Sequence, residues 1–122
     1  MASMPASFPD ALVYLMESRA EGRITVEQLA AQAHISDRTV TRYRSSDLAS
    51  YNPDIVVAIC IALHLPPWLS RLMLDKAGFA VKSYGPRGYY GEILDCCFMD
   101  TVPEVQDYLR SAGYPELRLQ EA

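Results

Sequence analysis

Three arginines, Arg38, Arg42 and Arg44, fall within seven positions of S-D-R-T-V-T-R-Y-R-S, residues 36 to 45. A guanidinium presents a rigid fork of donors that can grip guanine O6 and N7, or two oxygens of a phosphate. Thr41 and Ser45 add hydroxyls, and a threonine can also touch a thymine methyl. At helical spacing, residues 37, 38, 41, 42 and 45 share one side while Val40 and Tyr43 fall on the other. The stretch therefore reads as a helix with a basic, hydrogen-bonding face turned to solvent and an apolar face turned inward. Ser36 is placed to cap it, and Asp37 suits its first turn against the helix dipole. Asp37 could equally accept from cytosine N4.

A helix can present such a face only if something holds its back. Immediately upstream, T-V-E-Q at residues 25 to 28 is a capping box: the threonine hydroxyl accepts from the amide three residues on, and Gln28 reaches back. Leu29, Ala30 and Ala33 follow, and the small alanines let a second helix approach closely. Only Ala33, His34 and Ile35 remain for the connection, with Ile35 expected to plug the turn. Two short helices with so tight a link form a helix-turn-helix whose second member is backed by the first.

The rest of the chain is also punctuated as helices, so the fold class is all-α. Leu12, Leu15, Met16 and Arg19 recur at helical spacing after Pro9 and Asp10, predicting a helix over 9–20 that stops at Gly22. Asn52 caps and Pro53 opens a fourth helix with Val56, Ile59, Cys60 and Leu63 on its buried face, ended by Pro66-Pro67. Pro67 starts a fifth with Leu69, Leu72 and Met73 inward and Gly78 as its stop. Residues 79 to 88, with Gly85, Pro86 and Gly88, read as a linker. Beyond it Ile93, Leu94, Cys97 and Phe98 mark one helix, and T-V-P-E at 101–104 is a second capping box leading to Val105, Tyr108, Leu109 and Gly113. The last eight residues look frayed or strand-like.

Charge is unevenly spread. The chain carries a net −4, which alone argues against a nucleic-acid partner. Residues 92 to 122 hold seven acids against Arg110 and Arg118, a net of −5, which leaves +1 for residues 1 to 91. The acidity belongs to the tail and is expected to keep it off a polyanion.

Residues 24 to 44 resemble the helix-turn-helix of the Cro/C1-type repressor family (the Xre family), through L-A at 29–30, I-S at 35–36, R-T-V at 38–40 and R-Y at 42–43. The likeness extends over residues 9 to 78, because A-I-C-I-A-L-H-L-P-P and L-S-R-L-M-L-D-K-A-G-F are similar to the fourth and fifth helices of many members. It implies a five-helix repressor-like bundle, residues 7–78, with about two additional C-terminal helices in an extension, residues 79–122. It also implies binding of operator double-stranded DNA through the third helix, as a homodimer. By position, Ser36, Asp37, Arg38, Thr41, Arg42 and Ser45 match the exposed recognition residues, while Arg44, Asn52 and the Thr25 hydroxyl fall at the phosphate backbone. The family commonly has glycine in the turn where this chain has His34, so a left-handed backbone there carries strain. Val26 stands where many members hold a phosphate with glutamine.

The expected function is thus a sequence-specific DNA-binding regulator, a repressor acting by occupancy without a cofactor. The alternative is a protein-interaction module on the same scaffold, an antitoxin-like partner whose acidic C-terminal helices occupy another protein. A small-molecule sensor with a pocket among those helices is a third reading. Five tyrosines, Tyr84, Tyr89, Tyr90, Tyr108 and Tyr114, suit either an interface or the edge of a small core. Enzyme chemistry is not expected, since His34 and His64 have no nucleophile or paired carboxylates at catalytic spacing, and no metal is expected either. G-P-R-G-Y-Y-G at 85–91 lacks the lysine of a phosphate loop. Cys60, Cys96 and Cys97 show no CxxC spacing and read as reduced thiols. With no signal pattern and no apolar run near the ~20 residues of a membrane span, the expected setting is soluble and cytoplasmic.

Overall fold

Capping chemistry sets where the helices begin. The computed structural model describes residues 5–18, 22–45, 50–81 and 88–120, and among them are seven α-helices and no strand. The first, α1 (Phe8–Glu17), starts where the Ser7 hydroxyl accepts from the Asp10 amide at 3.3 Å. It ends before the expected 20 because the Ser18 backbone, φ −104° and ψ 15°, leaves the helical region; residues 19 to 21, Arg19 included, lie outside the described residues. The chain returns past Gly22, and the Ile24 amide donates to the Met16 carbonyl at 2.9 Å.

The second helix, α2 (Val26–Ala33), carries both halves of the capping box: Gln28 N–H to Thr25 Oγ1 at 3.1 Å and Thr25 N–H to Gln28 Oε1 at 3.0 Å. It ends on His34 in the left-handed region, φ 60°, with the Ile35 amide closing on the Ala30 carbonyl. Then comes α3 (Asp37–Ser45). Asn52 caps α4 (Pro53–Ala62) through a 3.0 Å bond from the Asp54 amide. The remaining helices are α5 (Pro67–Lys76), α6 (Tyr89–Cys96) and α7 (Val102–Ser111), the last with the Thr101–Glu104 capping box complete.

The organising element is α4. Nine of its ten residues are buried, Asp54 being the exception, so the expectation of a single buried face falls short. The reason is its surroundings: α2, α5, α6 and α7 all pack on it, and a helix enclosed on every side must be apolar all round. Its stop also differs from expectation. The prolines at 66 and 67 come after the end; His64 takes a left-handed backbone, φ 53°, and the Leu65 amide returns to the Cys60 carbonyl at 3.1 Å. The His64 ring bonds through Nδ1 to the Phe98 carbonyl at 3.0 Å, tying this corner to the segment between α6 and α7.

Other faces rotate slightly from the expected ones. On α5, Ser70, Met73 and Leu74 are buried while Leu69 and Leu72 are half-buried, because α1 and α6 approach that helix from two sides. On α7, Val102, Val105 and Leu109 are buried, whereas Tyr108 is exposed and bonds the Glu92 carboxylate of α6 at 2.5 Å. Phe98 is half-buried and lies past the end of α6, whose inward side chains are Tyr89, Tyr90, Ile93 and Leu94. Residues 82 to 87 of the expected linker, with Tyr84, Gly85 and Pro86, lie outside the described residues. One apolar cluster runs from Phe8 through α4 to Leu117, so both halves of the chain share a core. No described helix is long and apolar enough to cross a membrane.

Candidate nucleic-acid interface

Orientation of α3 is decided from behind. Tyr43 is fully buried, packed edge-on to Phe8 (centroids 6.2 Å apart) and to Tyr51 (5.2 Å), and its hydroxyl accepts from the Asn52 amide at 3.0 Å. Val40 is equally buried, and Thr39 is nearly so. These contacts pin the helix to α1 and to the start of α4, so it cannot roll. Aromatic pairs of this geometry add about 0.5–1.5 kcal/mol each beyond the area they bury.

With the back fixed, the other side is solvent-facing. Asp37, Arg38, Thr41, Arg42 and Ser45 are all exposed, and residues 38, 41, 42 and 45 form one stripe along the axis. Ser36 is exposed as well, but its hydroxyl is engaged: it accepts from the Thr39 amide at 3.1 Å and shares a hydrogen bond with the Thr39 hydroxyl at 2.8 Å. Ser36 is therefore the start signal of α3. Asp37 occupies the first turn.

The residues assigned to the flanks differ in availability. Thr25 is exposed; its oxygen accepts from Gln28, which leaves the O–H hydrogen able to donate outward. Arg44 is half-buried and lines a depression with Glu17, Arg23, Thr25 and Glu27, placing it on the α2 side of the stripe. Asn52 is committed on three counts. Its amide donates to Tyr43, its Oδ1 accepts from Asp54, and its Nδ2 donates to the Arg118 carbonyl at 3.1 Å.

That last bond belongs to a part of the site that sequence reasoning left out. Residues 114 to 120 form an extended strap that returns along α7 to the beginning of α4. Gln106 holds Leu117 at both ends, accepting from its amide at 2.7 Å and donating to its carbonyl at 3.0 Å. Asp54 accepts from the Arg118 amide at 2.9 Å and also from the Tyr90 hydroxyl. Farther on, Leu119 and Gln120 share a depression with Ile35, Ser36 and Thr39 at the beginning of α3. The signal for the strap is the alternation Leu117 buried, Arg118 exposed, Leu119 half-buried, Gln120 exposed, a period-two pattern without a partner strand.

The described residues contain no group of three or more His, Cys, Asp or Glu side chains able to hold a metal ion. Compared with family profiles, curated proteins and solved structures, the chain matches none.

Proposed function

We propose that the protein is a non-catalytic, sequence-specific binder of double-stranded DNA, a transcriptional regulator acting as a repressor, with α2 and α3 as a Cro/C1-type helix-turn-helix. The observation that carries this reading is the exposed Arg38–Thr41–Arg42–Ser45 stripe on a helix whose opposite side, Val40 and Tyr43, is fully buried. A helix is about 10–12 Å across with its side chains, the width of the B-DNA major groove. Arg38 and Arg42 are the base or phosphate contacts, and the hydroxyls of Thr41 and Ser45 supplement them. Thr25 and Arg44 lie to the α2 side, where a phosphate strand would run. Two copies with their α3 helices about 34 Å apart would read a near-palindromic site.

The test is enrichment from a pool of random duplexes at two salt concentrations. Arg42→Ala should cost about 1–3 kcal/mol if it reads a base, and each lost phosphate contact should lower the salt slope by about one. A well-folded sample that enriches no sequence and binds no duplex would overturn the reading.

A second reading, an antitoxin-like protein-interaction module, draws support from the exposed Met99, Tyr108 and Tyr114 of the acidic C-terminal part, Tyr108 bonded to Glu92. Exposed aromatic and methionine side chains suit protein interfaces. Recovery of a stoichiometric protein partner that is indifferent to Arg38→Ala and Arg42→Ala would favour it.

A further inference from the structure

The acidic balance of residues 92–122 leads to the expectation that this region stays clear of a polyanion, yet its last described segment comes to the edge of the α3 face. Past α7 the chain reverses at Gly113, whose φ of 81° suits glycine, and Tyr114 stacks on Tyr89 with centroids 5.3 Å apart. Glu116 pairs with Arg110 at 3.0 Å, which offsets its charge. Leu117 is buried and gripped by Gln106, and both backbone polar groups of Arg118 are bonded, the amide to Asp54 and the carbonyl to Asn52. Register is therefore fixed, and it holds the exposed Arg118 beside Asn52 and Asp54 at the start of α4. Arg118 makes no ion pair among the described residues. Residues 119 and 120 continue past Ser36 and Thr39 at the first turn of α3.

We propose that the strap, residues 114–120, is part of the nucleic-acid face, and that Arg118 supplies a phosphate contact beside the start of α4. The inference rests on the DNA reading of α3 and extends the site to a segment distant in sequence. Two features at the start of α4 favour a contact from Arg118. Asn52, the residue matched to a backbone contact, has spent its side chain on Asp54 and Arg118 and is poorly placed to hold a phosphate itself. Asp54 has its carboxylate oxygens taken up by the Tyr90 hydroxyl and the Arg118 amide, and the Arg118 guanidinium, in no ion pair among the described residues, is the charge at this edge able to meet a phosphate. A point charge suffices for a phosphate, so lysine should substitute.

The experiment uses the full chain and a labelled mixed-sequence duplex of about two helical turns, ~20 base pairs. Affinity is measured at about 50 and about 200 mM salt for the unaltered protein, Arg118→Ala, Arg118→Lys and Gln106→Ala. One phosphate contact contributes a salt slope of about 0.9, so the Arg118→Ala deficit should be about 3.5-fold larger at the lower salt. Arg118→Lys should restore most of the affinity. Gln106→Ala, which releases the strap, should weaken binding in the same direction. Because the Arg118 side chain is exposed, thermal unfolding of its variants should match the parent, which separates lost contact from lost fold. Binding by the parent with Arg118→Ala indistinguishable at both salts would overturn the strap contact alone. Tighter binding by Gln106→Ala would overturn it too, marking the strap as a shield. No binding by the parent would overturn this proposal together with the DNA reading.

Discussion

Three thiols sit in three environments, and only one is open to reagents. Cys96 is exposed, whereas Cys60 and Cys97 are buried. Burial pushes the Cys60 thiol up to about 12, and burial followed by the nearby Asp100 pushes Cys97 up to about 11, both from 9.0. A thiol reagent at neutral pH should therefore modify one equivalent per chain quickly, at Cys96, with the others following only on unfolding. The same shifts carry a stability consequence. A group whose pKa is raised by folding keeps its proton in the native state after the unfolded chain has lost it, so stability is present in full below about pH 9. Stability should then fall as pH rises toward 11 and 12. Urea midpoints measured at rising pH check this: a midpoint flat from neutrality to the alkaline limit would contradict the buried placement of Cys60. At the acid end, Glu104 is held below the ordinary carboxylate range by the Thr101 amide and hydroxyl, and Asp95 by Arg71. Those contributions are present above the ordinary carboxylate range and fade as pH falls through the lowered values.

Among the elements, α2 offers a pair of substitutions with opposite signs. Thr25→Ala removes the hydroxyl that accepts from Gln28 and should cost about 1 kcal/mol. His34→Gly at the other end relieves a left-handed backbone of φ 60° and should gain up to about 1 kcal/mol, provided the imidazole has no other duty. Thermal midpoints of the two variants should move apart around the parent; a destabilised His34→Gly would mean that the ring contributes packing at the turn. These positions also mark where the sequence is legible. Both capping boxes and the inward Ala30, Ala33, Val40 and Tyr43 follow from local chemistry, because a cap and its partner lie within four residues; the short link falls one residue later than expected, at 34–36, since Ala33 closes α2. The exposed stripe on α3 follows from the same periodicity. What stayed hidden depends on distant partners: the all-round burial of α4 requires α6 and α7, and the Asn52–Arg118 and Gln106–Leu117 bonds join residues whose pairing no local pattern encodes. The helix expected over 9–20 runs past the end at Glu17 because nothing in its apolar spacing marks Ser18 as a cap.

For the molecule as a whole, the question is whether residues 79–122 can be removed from a binding unit that the sequence places at 7–78. The buried cluster argues against it. Tyr89, Tyr90, Ile93, Leu94, Val102, Val105, Leu109 and Leu117 join the same core as Leu29, Val40 and Ile55, and α4 contacts both α6 and α7. Each such side chain contributes roughly 1.5–3 kcal/mol on burial, and a domain's net stability is only about 5–15 kcal/mol. Cutting the chain after Val81 removes those eight side chains and also bares the apolar surface of α4 they cover. The shortened chain should lose its cooperative transition and aggregate. The intact protein should unfold in one step, with far-ultraviolet circular dichroism and the near-ultraviolet tyrosine signal changing together. Two separated transitions, or a folded and monomeric 1–81 fragment, would show that the C-terminal helices are an appendage. In the unified molecule the acidic helices brace α4, and the −5 of residues 92–122 becomes a constant repulsion that any DNA contact through α3 would have to overcome. Binding should consequently be shallower in salt dependence, and weaker at low ionic strength, than the local charge of α3 suggests, because salt screens the repulsion along with the attraction over about 8–10 Å. Glu104→Gln together with Asp107→Asn, exposed positions at which the amide of residue 104 keeps the capping oxygen, should raise affinity modestly at low salt and not at high salt. An affinity gain that persists at high salt would instead indicate direct contact between α7 and the duplex.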